Sequence, residues 1–411
     1  MLKQSEPPGA TLGTEPVLGR PRPGVRPLRL GFVCSGDPLN VGIWSGTPFH
    51  MLQALQDHAD VVEIVRKPWP AWFDLPRRIV RRLSNQRYDP YWSPFWSGLG
   101  CRGAANRLAN ADCDAVVVVA ITPVAAQLAG KVPTVFVSDA TFFAMQDYNI
   151  HFRKLSPGYK RDADLLEGHA IRSAMVATFP SRWARSSAVE HFGADPERTF
   201  QIPWGANLEA TAPIPVDQRP ESPWRLLFVG VDWAGKGGDI VLQTFRLLRE
   251  RGHAVELDIV GCAPSDPPPN IDGITFHGFI SKNTPQGRER LEDLFRHAHI
   301  FMLPTQFEAL GIVNAESASY GLPVVSYDTG GVSGNVISGE TGILIEEGKP
   351  ADAFADAIVE IMSDPKRYRE MAEAAFRLSR EALNWDAWAR RVVTSVAAAL
   401  DRQDAEVAHA S

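Results

Sequence analysis

Residues 304–321, PTQFEALGIVNAESASYG, are the stretch of the sequence that decides the fold. They follow the apolar run Ile300–Leu303, which is typical of a buried strand. The segment predicts a loop that carries Glu308 and then a helix over Ile312–Tyr320, which Gly321 ends as glycine commonly does. Strand, loop and helix in this order form one half of a βαβ unit, the building block of a parallel sheet.

The same alternation of short apolar runs and amphipathic segments extends over most of the chain. Continuous apolar strands between helices predict parallel sheets that are buried on both faces. The alternation stops at residues 211–223, TAPIPVDQRPESP, where four prolines and few large apolar groups predict an interdomain linker. It begins again afterwards, so we expect an α/β protein with two Rossmann-like, doubly wound parallel-sheet domains facing a central cleft.

These changes along the chain give the predicted boundaries of the domains. Residues 1–26, rich in proline and glycine, are predicted to be a disordered tail. The N-terminal domain is predicted over 27–210 and the C-terminal domain over 224–380, on either side of the linker. The predicted strands are Arg29–Cys34, Val61–Val65, Ala115–Ala120, Thr134–Val137, Met175–Phe179, Arg225–Val229, Val255–Val260, Ile274–Phe276, Ile300–Leu303 and Val324–Tyr327.

Composition narrows the class of protein. The 411 residues carry a formal net charge of -6 and no long block of lysine and arginine, which argues against nucleic acid as a partner. The four cysteines form no C-x-x-C pair, so neither a disulfide framework nor a zinc site is expected. The run Ala115–Ile121 is far shorter than the ~20 residues of a membrane-spanning helix. We therefore expect a cytoplasmic protein.

The helix that begins near Gly311 offers a site for phosphate. The amides of Gly311, Ile312 and Val313 lie at the N-terminus of the predicted helix, where anions bind, and glycine allows close approach of the backbone. Glu316 lies one turn further on, and its carboxylate can accept two hydrogen bonds from a ribose diol. Glu308 would then lie on the other side of a diphosphate, near a sugar.

A second glycine-rich turn lies in Leu226–Gly238, LLFVGVDWAGKGG. The spacing of Gly230, Gly235 and Lys236 nearly matches a P-loop, but Gly237 stands where the P-loop has the serine or threonine that binds magnesium. The P-loop interpretation is therefore weak. A strand-to-helix connection remains the simple alternative for this turn.

Several of these stretches share the order and spacing of a known family. The pair Glu308 and Glu316, the stretch FEALGIVNAESASYGLPVV, the later TGGV, and SGETGILI from Ser338 to Ile345 resemble the retaining GT-B glycosyltransferases of family 4, the E-x7-E glycosyl transferases of group 1. The resemblance implies transfer of a sugar from a UDP- or GDP-sugar to a hydroxyl of a glycan or lipid-linked acceptor, without a metal or other cofactor. It also implies a helix over 381–400 that packs back on the N-terminal domain, before a tail over 401–411.

The resemblance assigns roles to residues in the second half. Lys236 and Gly237 look like the family's Lys-Gly pair that neutralises the donor diphosphate, in the turn after Gly230. Phe276–Phe279, with Gly278 and Phe279, resembles the turn that contacts the base, and Leu310 stands in the donor-binding stretch. The family's arginine after the glycine is absent, because Val231 occupies its place.

In the first half, Gly46 and Thr47 of the SGTP stretch resemble the family's glycine loop, although a plain strand-to-helix turn explains them as well. Asp139 stands where relatives often have a histidine; it either contacts sugar or acceptor, or caps the next helix. Asp112-Cys-Asp114 matches a manganese-binding D-x-D but precedes a strand, at the end that does not bind ligands. The missing arginine and histidine keep open an alternative function, a catalytically silent subunit that binds sugar nucleotides.

Aromatic and basic residues alternate within 66–96. An anionic membrane carrying a lipid-linked acceptor would suit such a segment, at the inner face of the membrane. Packing against the domain with a solvated basic face would suit it as well, and such amphipathic patterns are common. The residues are Trp69, Trp72, Phe73, Arg77, Arg78, Arg81, Arg82, Tyr91, Trp92, Phe95 and Trp96.

Overall fold

The structure is a computed structural model that describes residues 26–85, 87–146, 148, 150–210, 219–220, 222–265 and 271–410. The described residues form two compact units. The first unit contains the residues up to Pro203 together with the helix from Trp385 onward, and the second unit contains Trp204–Asn384.

Each unit is built on a six-stranded sheet in which every pairing is parallel. The strand order is β2-β1-β3-β4-β5-β6 in the first unit and β12-β11-β10-β7-β8-β9 in the second. The strands are β1 (Arg29–Cys34), β2 (Asp60–Val65), β3 (Ala115–Val119), β4 (Thr134–Val137), β5 (Val176–Phe179), β6 (Thr199–Gln201), β7 (Trp224–Val229), β8 (Val255–Val260), β9 (Ile274–Gly278), β10 (Ile300–Leu303), β11 (Val324–Tyr327) and β12 (Gly342–Ile345).

Helices connect the strands and cover the sheets. Those that follow β7 and β10 matter most for the site, because the carboxyl ends of parallel strands are where such sheets bind ligands. The helices are α1 (Thr47–His58), α2 (Ala71–Leu83), α3 (Pro94–Ala109), α4 (Thr122–Leu128), α5 (Phe142–Gln146), α6 (Ile150–Arg153), α7 (Pro157–Ser173), α8 (Arg182–Glu190), α9 (Gly238–Glu250), α10 (Pro285–His297), α11 (Ile312–Ser319), α12 (Ala351–Met362), α13 (Pro365–Glu381) and α14 (Trp385–Ala410).

The predicted α/β class with two parallel-sheet units is confirmed. The ten predicted strands are all present, with ends that shift by two residues at most. The central strands β3 and β10 are buried along their whole length, which is why their sequences are continuous apolar runs. The two strands that the pattern did not predict, β6 and β12, lie at sheet edges and have only three and four residues.

The boundary between the units lies earlier than the predicted one. Residues 204–210 belong to the second unit, since the Ala206 amide donates to the Leu383 carbonyl (3.1 Å) and the Ala210 amide to the Ser319 hydroxyl (3.2 Å). Most of the predicted linker, 211–218 and 221, lies outside the described residues, as does nearly all of the predicted tail 1–26. Within the linker range, Arg219 is buried, and its guanidinium donates to the carbonyls of Tyr320 (2.5 Å) and Gly321 (3.1 Å).

The C-terminal helix also differs from its prediction. It begins at Trp385 rather than 381 and continues through the predicted tail to Ala410. Its first half is buried against α1 of the first unit, while residues 401–409 are exposed and mostly polar or small, so apolar periodicity could not reveal them. No helix in the described ranges is long and apolar enough to span a bilayer.

One carboxyl group inside the first unit has an unusual environment. Glu167 of α7 is buried, and its Oε2 accepts a hydrogen bond from the Phe142 amide at the start of α5 (2.5 Å). Burial, with a smaller contribution from the neighbouring Asp164 and Asp139, raises the pKa of Glu167 to about 8 from its ordinary 4.5, although the Phe142 amide opposes the shift. Glu167 is thus a structural link between α7 and α5.

This shift makes stability depend on pH. A raised folded-state pKa means that the folded protein keeps a proton which the unfolded chain releases above about pH 4.5. The stability from this proton is therefore full below pH 4.5 and is lost as pH rises through about 8. We expect Glu167→Gln, measured by urea unfolding at about pH 5.5 and about pH 8.5, to gain stability relative to the wild type at the higher pH. Glu190→Gln, at an exposed position of α8, should show no such gain; equal behaviour of the two variants would contradict the assignment.

Candidate functional site

Two helix N-termini without side-chain caps follow adjacent strands of the second unit. Gly237 precedes α9 and Gly311 precedes α11, each in the left-handed region, with φ of 76° and 74°. Their strands β7 and β10 pair directly, so both helices begin at the same edge of the sheet. Amides left unpaired at helix N-termini attract anions, so this edge is suited to phosphate.

Gly237 is required by a close approach of backbone to backbone. A Cβ at this position would lie 2.0 Å from the carbonyl oxygen of Pro304, in the loop after β10. Serine or threonine therefore does not fit, and the hydroxyl that a P-loop needs is excluded by the fold itself. The loops are further joined by the Gln306 amide, which donates to the Gly235 carbonyl (3.0 Å).

Lys236 and Glu308 meet where these loops touch. The Lys236 ammonium donates to Glu308 Oε2, and both side chains are largely buried. The Gly331 amide of the TGGV stretch donates to the Glu308 carbonyl (3.0 Å), which fixes this residue from the other side. The predicted phosphate lysine and the predicted sugar-side glutamate are therefore brought together as an ion pair, between the two helix N-termini.

Glu316 has a cationic partner that the sequence did not indicate. The ammonium of Lys282 donates to Glu316 Oε1 (2.5 Å), and the Glu316 side chain is almost fully buried. Lys282 lies in the turn after β9, three positions beyond Phe279, whose ring is 73% exposed. Its position in the turn that the resemblance predicts to contact the base was the only available signal, because a lone lysine in a loop is otherwise unremarkable.

Two buried asparagines lie behind the N-terminus of α11. Asn335 Nδ2 donates to the carbonyls of Leu310 (3.2 Å) and Gly311 (3.1 Å), and the Leu310 side chain is buried. Asn314 is fully buried, and within the described residues neither its Oδ1 nor its Nδ2 has a hydrogen-bond partner. Its Nδ2 lies 2.7 Å from where a Cβ on Gly311 would be, so Gly311 also leaves room for an amide group.

The other predicted residues of the second unit are placed as follows. Gly230 ends β7, and the neighbouring Val231 is 73% exposed, so the place of the family's arginine is open to solvent. Gly278 closes β9 with φ of 66° and accepts from the Gly261 amide (2.8 Å). Ile312 and Val313 form the first turn of α11.

The predicted residues of the first unit lie on two different loops. Gly46 precedes α1 with φ of 91°, directly after Trp44 and Ser45, which also have positive φ; Thr47 begins the helix and is buried. Three consecutive left-handed residues are unusual and mark a strained loop. Asp139 follows β4, but it is the Thr141 hydroxyl that accepts from the Ala144 amide (3.1 Å) at the start of α5.

The described residues contain no group of three or more histidine, cysteine, aspartate or glutamate side chains arranged to hold a metal. Asp114 of the D-x-D sequence pairs with Arg26 (2.7 Å), and Asp112 pairs with Arg29. Both acids therefore lie at the amino end of β3 and connect backbone segments there.

Comparison with known proteins identifies what this arrangement is similar to. Residues 214–378 match the family model described as glycosyl transferases group 1. The chain is 27% identical to a D-inositol 3-phosphate glycosyltransferase of Arthrobacter sp. over 240 residues, 56% of each chain, and 31% identical to one of Nocardia farcinica over 52% of this chain and 50% of that one. The chain thus spans about half the length of the curated relatives it matches.

Solved structures extend the similarity of fold over nearly the whole chain. Sucrose-phosphate synthase from Thermosynechococcus elongatus matches with a TM-score of 0.62 at 17% identity, covering 94% of this chain and all of that one. HepE of Anabaena, solved with UDP and glucose, matches with a TM-score of 0.60 at 15% identity, covering 90% and 100%. The fold is that of the GT-B glycosyltransferases, as predicted.

The two ends of α9 provide a matched test of the close approach at Gly237. Gly252, just beyond the other end, has φ of 86° with nothing within 4 Å of a Cβ, so Gly252→Ala should cost only the left-handed strain, about 1–2 kcal/mol. Gly237→Ala should cost clearly more, because its methyl group would also collide with the Pro304 carbonyl. Equal losses of unfolding free energy in urea would show that the loops can separate easily.

Proposed function

We propose that the protein transfers a hexose-type sugar from a nucleoside diphosphate sugar to an acceptor hydroxyl, with retention of the anomeric configuration. The observation that carries the proposal is the Lys236–Glu308 ion pair between two uncapped helix N-termini. It places a cation, a carboxylate and the N-termini of two helices at one edge of the sheet. Those are the groups that diphosphate departure beside a sugar requires.

The difficult step is departure of the diphosphate. Its negative charge grows as the bond to the sugar breaks, so cations and amides that are already in place stabilise the transition state more than the ground state. Lys236 is held by Glu308 before any donor arrives, and its ammonium can donate to phosphate while it keeps this carboxylate partner. Because Lys236 and the helix termini supply the positive charge, the proposed reaction uses no metal ion.

Glu308 has a second role in this proposal. Its carboxylate faces the Lys236 ammonium, on the loop directly before the phosphate-binding helix α11. Positive charge develops on the sugar ring as the leaving group departs, and a nearby carboxylate stabilises that charge. Glu308 thus acts on the sugar and Lys236 acts on the phosphates.

The ribose and base would bind beside this centre. A buried carboxylate such as Glu316 needs a partner, and Lys282 provides one in the absence of a ligand. We propose that the Glu316 carboxylate accepts hydrogen bonds from the ribose diol, while the Lys282 ammonium stays bonded to one of the carboxylate oxygens. We also propose that the ring of Phe279, which is exposed and lies in the same turn as Lys282, contacts the base.

The comparisons support a nucleotide-sugar donor. HepE of Anabaena has been solved with UDP and with UDP-glucose, and the curated relatives are named as glycosyltransferases. Since the matches to those relatives cover about half of their length, we propose the acceptor only as a class, a hydroxyl of a glycan or a lipid-linked glycan. Melting-temperature shifts with UDP- and GDP-sugars would identify the donor, because a ligand that binds the folded state stabilises it.

The ion pair can be tested by a double-mutant cycle. Lys236→Ala should reduce turnover of the nucleotide sugar by about 10²–10³, and it should also weaken nucleoside diphosphate binding, since the diphosphate then loses the ammonium group. Glu308→Gln should reduce turnover while leaving nucleotide affinity unchanged or higher. The double variant should recover part of the affinity but no turnover, measured by calorimetry and by nucleotide release.

A surface pair provides the control. Lys349 and Glu346 also form an ion pair (3.6 Å) but are exposed, so Lys349→Ala with Glu346→Gln should change neither turnover nor nucleotide affinity. Adding Val231→Arg to Lys236→Ala should restore part of the turnover, because that position is open to solvent. If Lys236→Ala turns over the donor as fast as the wild type does, Lys236 has no role at the phosphates. If the wild-type protein binds nucleotide but shows no turnover, the function is that of a catalytically silent binding subunit.

The ribose contact has its own test. Glu316→Ala should weaken binding of the free nucleoside diphosphate roughly 10- to 150-fold, the effect of one charge-assisted hydrogen bond of about 1.5–3 kcal/mol. A deoxyribose analogue should bind the wild type more weakly than the parent nucleotide does. The Glu316→Ala variant should bind the analogue and the parent nucleotide with the same affinity. If the variant still distinguishes the two nucleotides, Glu316 does not contact the ribose.

A further inference from the structure

Helix α2 carries an apolar stripe that the protein leaves uncovered. Trp72, Leu75, Ile79 and Leu83 are 51%, 65%, 49% and 82% exposed. Their spacing of three, four and four positions places them on one face of the helix. Single exposed apolar residues are ordinary, but a continuous row over the full length of a helix marks a surface that binds something.

Packing against the domain accounts for a different face of the same helix. Phe73 is the buried side chain of α2, and its ring stacks on Trp69 with centroids 4.6 Å apart. Gly100 of α3 leaves room for these rings, since a Cβ there would lie 2.7 Å from Phe73. The helix is therefore anchored through Phe73, and the stripe is left over. The interpretation of the segment as simply packed against the domain explains Trp69 and Phe73 but not the stripe.

The arginines of α2 divide into two pairs. Arg77 and Arg81 both approach Asp89, at 2.7 Å and 3.5 Å, and serve to hold the segment together. Arg78 and Arg82 are exposed and form no ion pair with any described residue. In a helix they lie together, four positions apart, beside the apolar stripe. This second pair is available for an anionic partner.

The uncovered surface continues onto α3. Phe95, Trp96 and Leu99 of that helix are exposed. A groove of about 380 Å³ is lined by both Trp72 and Leu99, by Lys67, and by Arg107, which pairs with Glu63 (2.7 Å). Apolar, aromatic and basic groups are thus combined on one face of the first unit.

We propose that this face, formed by α2 and the start of α3, binds the surface of an anionic lipid bilayer with α2 parallel to the membrane plane. Hydrocarbon accepts the apolar stripe, tryptophan favours the interface, and the guanidinium groups of Arg78 and Arg82 pair with lipid phosphates. The free arginines beside the stripe decide the partner, because they match a negatively charged headgroup layer. This inference goes beyond the proposed reaction and does not depend on it.

Vesicle binding tests the inference with the full chain. The wild type should co-sediment with phosphatidylcholine vesicles that contain phosphatidylglycerol, far more weakly with pure phosphatidylcholine, and less as salt increases. Arg78→Ala with Arg82→Ala should weaken binding to the anionic vesicles roughly 10- to 30-fold, since each basic residue near such a surface contributes up to about fivefold. Ile79→Ser with Leu83→Ser should abolish measurable binding.

Matched variants separate this surface from general effects of charge and apolarity. Arg246→Ala with Arg402→Ala removes two exposed arginines elsewhere, and Leu165→Ser with Val407→Ser removes two exposed apolar side chains elsewhere; both should bind like the wild type. Melting temperature and donor turnover with a water-soluble acceptor should stay unchanged in every variant. A loss of vesicle binding is therefore distinguishable from a loss of the proposed transferase activity. The proposal would be overturned by equal binding to both vesicle types or by no binding to either. It would also be overturned if the wild type forms a dimer and the variant Ile79→Ser with Leu83→Ser is a monomer, because the stripe would then bind a second copy of the chain.

Discussion

The arrangement of the second unit depends on one contact between two stretches of backbone. The turn after β7 lies against the loop after β10 because Gly237 has no side chain, and a Cβ would be 2.0 Å from the Pro304 carbonyl oxygen. The pairing of β7 with β10 sets the N-termini of α9 and α11 at one sheet edge, and this contact holds their preceding loops together. It also brings Lys236 to Glu308, two residues that are far apart in the sequence. A positive backbone angle, steric exclusion and an ion pair thus have a single origin.

The charges of the site follow from burial. A carboxylate removed from water needs a cation or several hydrogen-bond donors, and each glutamate of the E-x7-E pair has a lysine. Glu308 pairs with Lys236, and Glu316 pairs with Lys282. Each buried carboxylate of this pair is therefore matched by an ammonium group from another loop. The same requirement explains Glu167 in the first unit, which has no lysine partner among its described contacts and instead retains a proton, with a pKa of about 8.

The first unit combines a regular core with a strained loop and an exposed apolar surface. Its sheet is as regular as that of the second unit, yet its connections include the left-handed sequence Trp44, Ser45 and Gly46 and the uncovered stripe of α2. Strained loops and exposed apolar rows both cost stability, and both persist where a ligand or a surface compensates for them. The strained loop and the stripe are therefore the two features of the first unit for which a ligand or a surface would compensate.

The sequence by itself determined the two parallel sheets, ten of the described strands, and the helix N-terminus at Gly311. Buried strands and helices that begin after glycine can be predicted from the local order of apolar residues and glycines. The stretch from Glu308 to Glu316 also carries the resemblance to the glycosyltransferases of group 1. Tertiary structure decided the rest. Lys282, in the turn after β9, reaches Glu316 of α11 across the fold, and Arg219 and residues 204–210 join the second unit; composition cannot show any of these contacts. Periodicity could mark α2 as amphipathic, but which face is buried depends on where Trp69 and Gly100 lie in space, and that is a property of packing between distant segments.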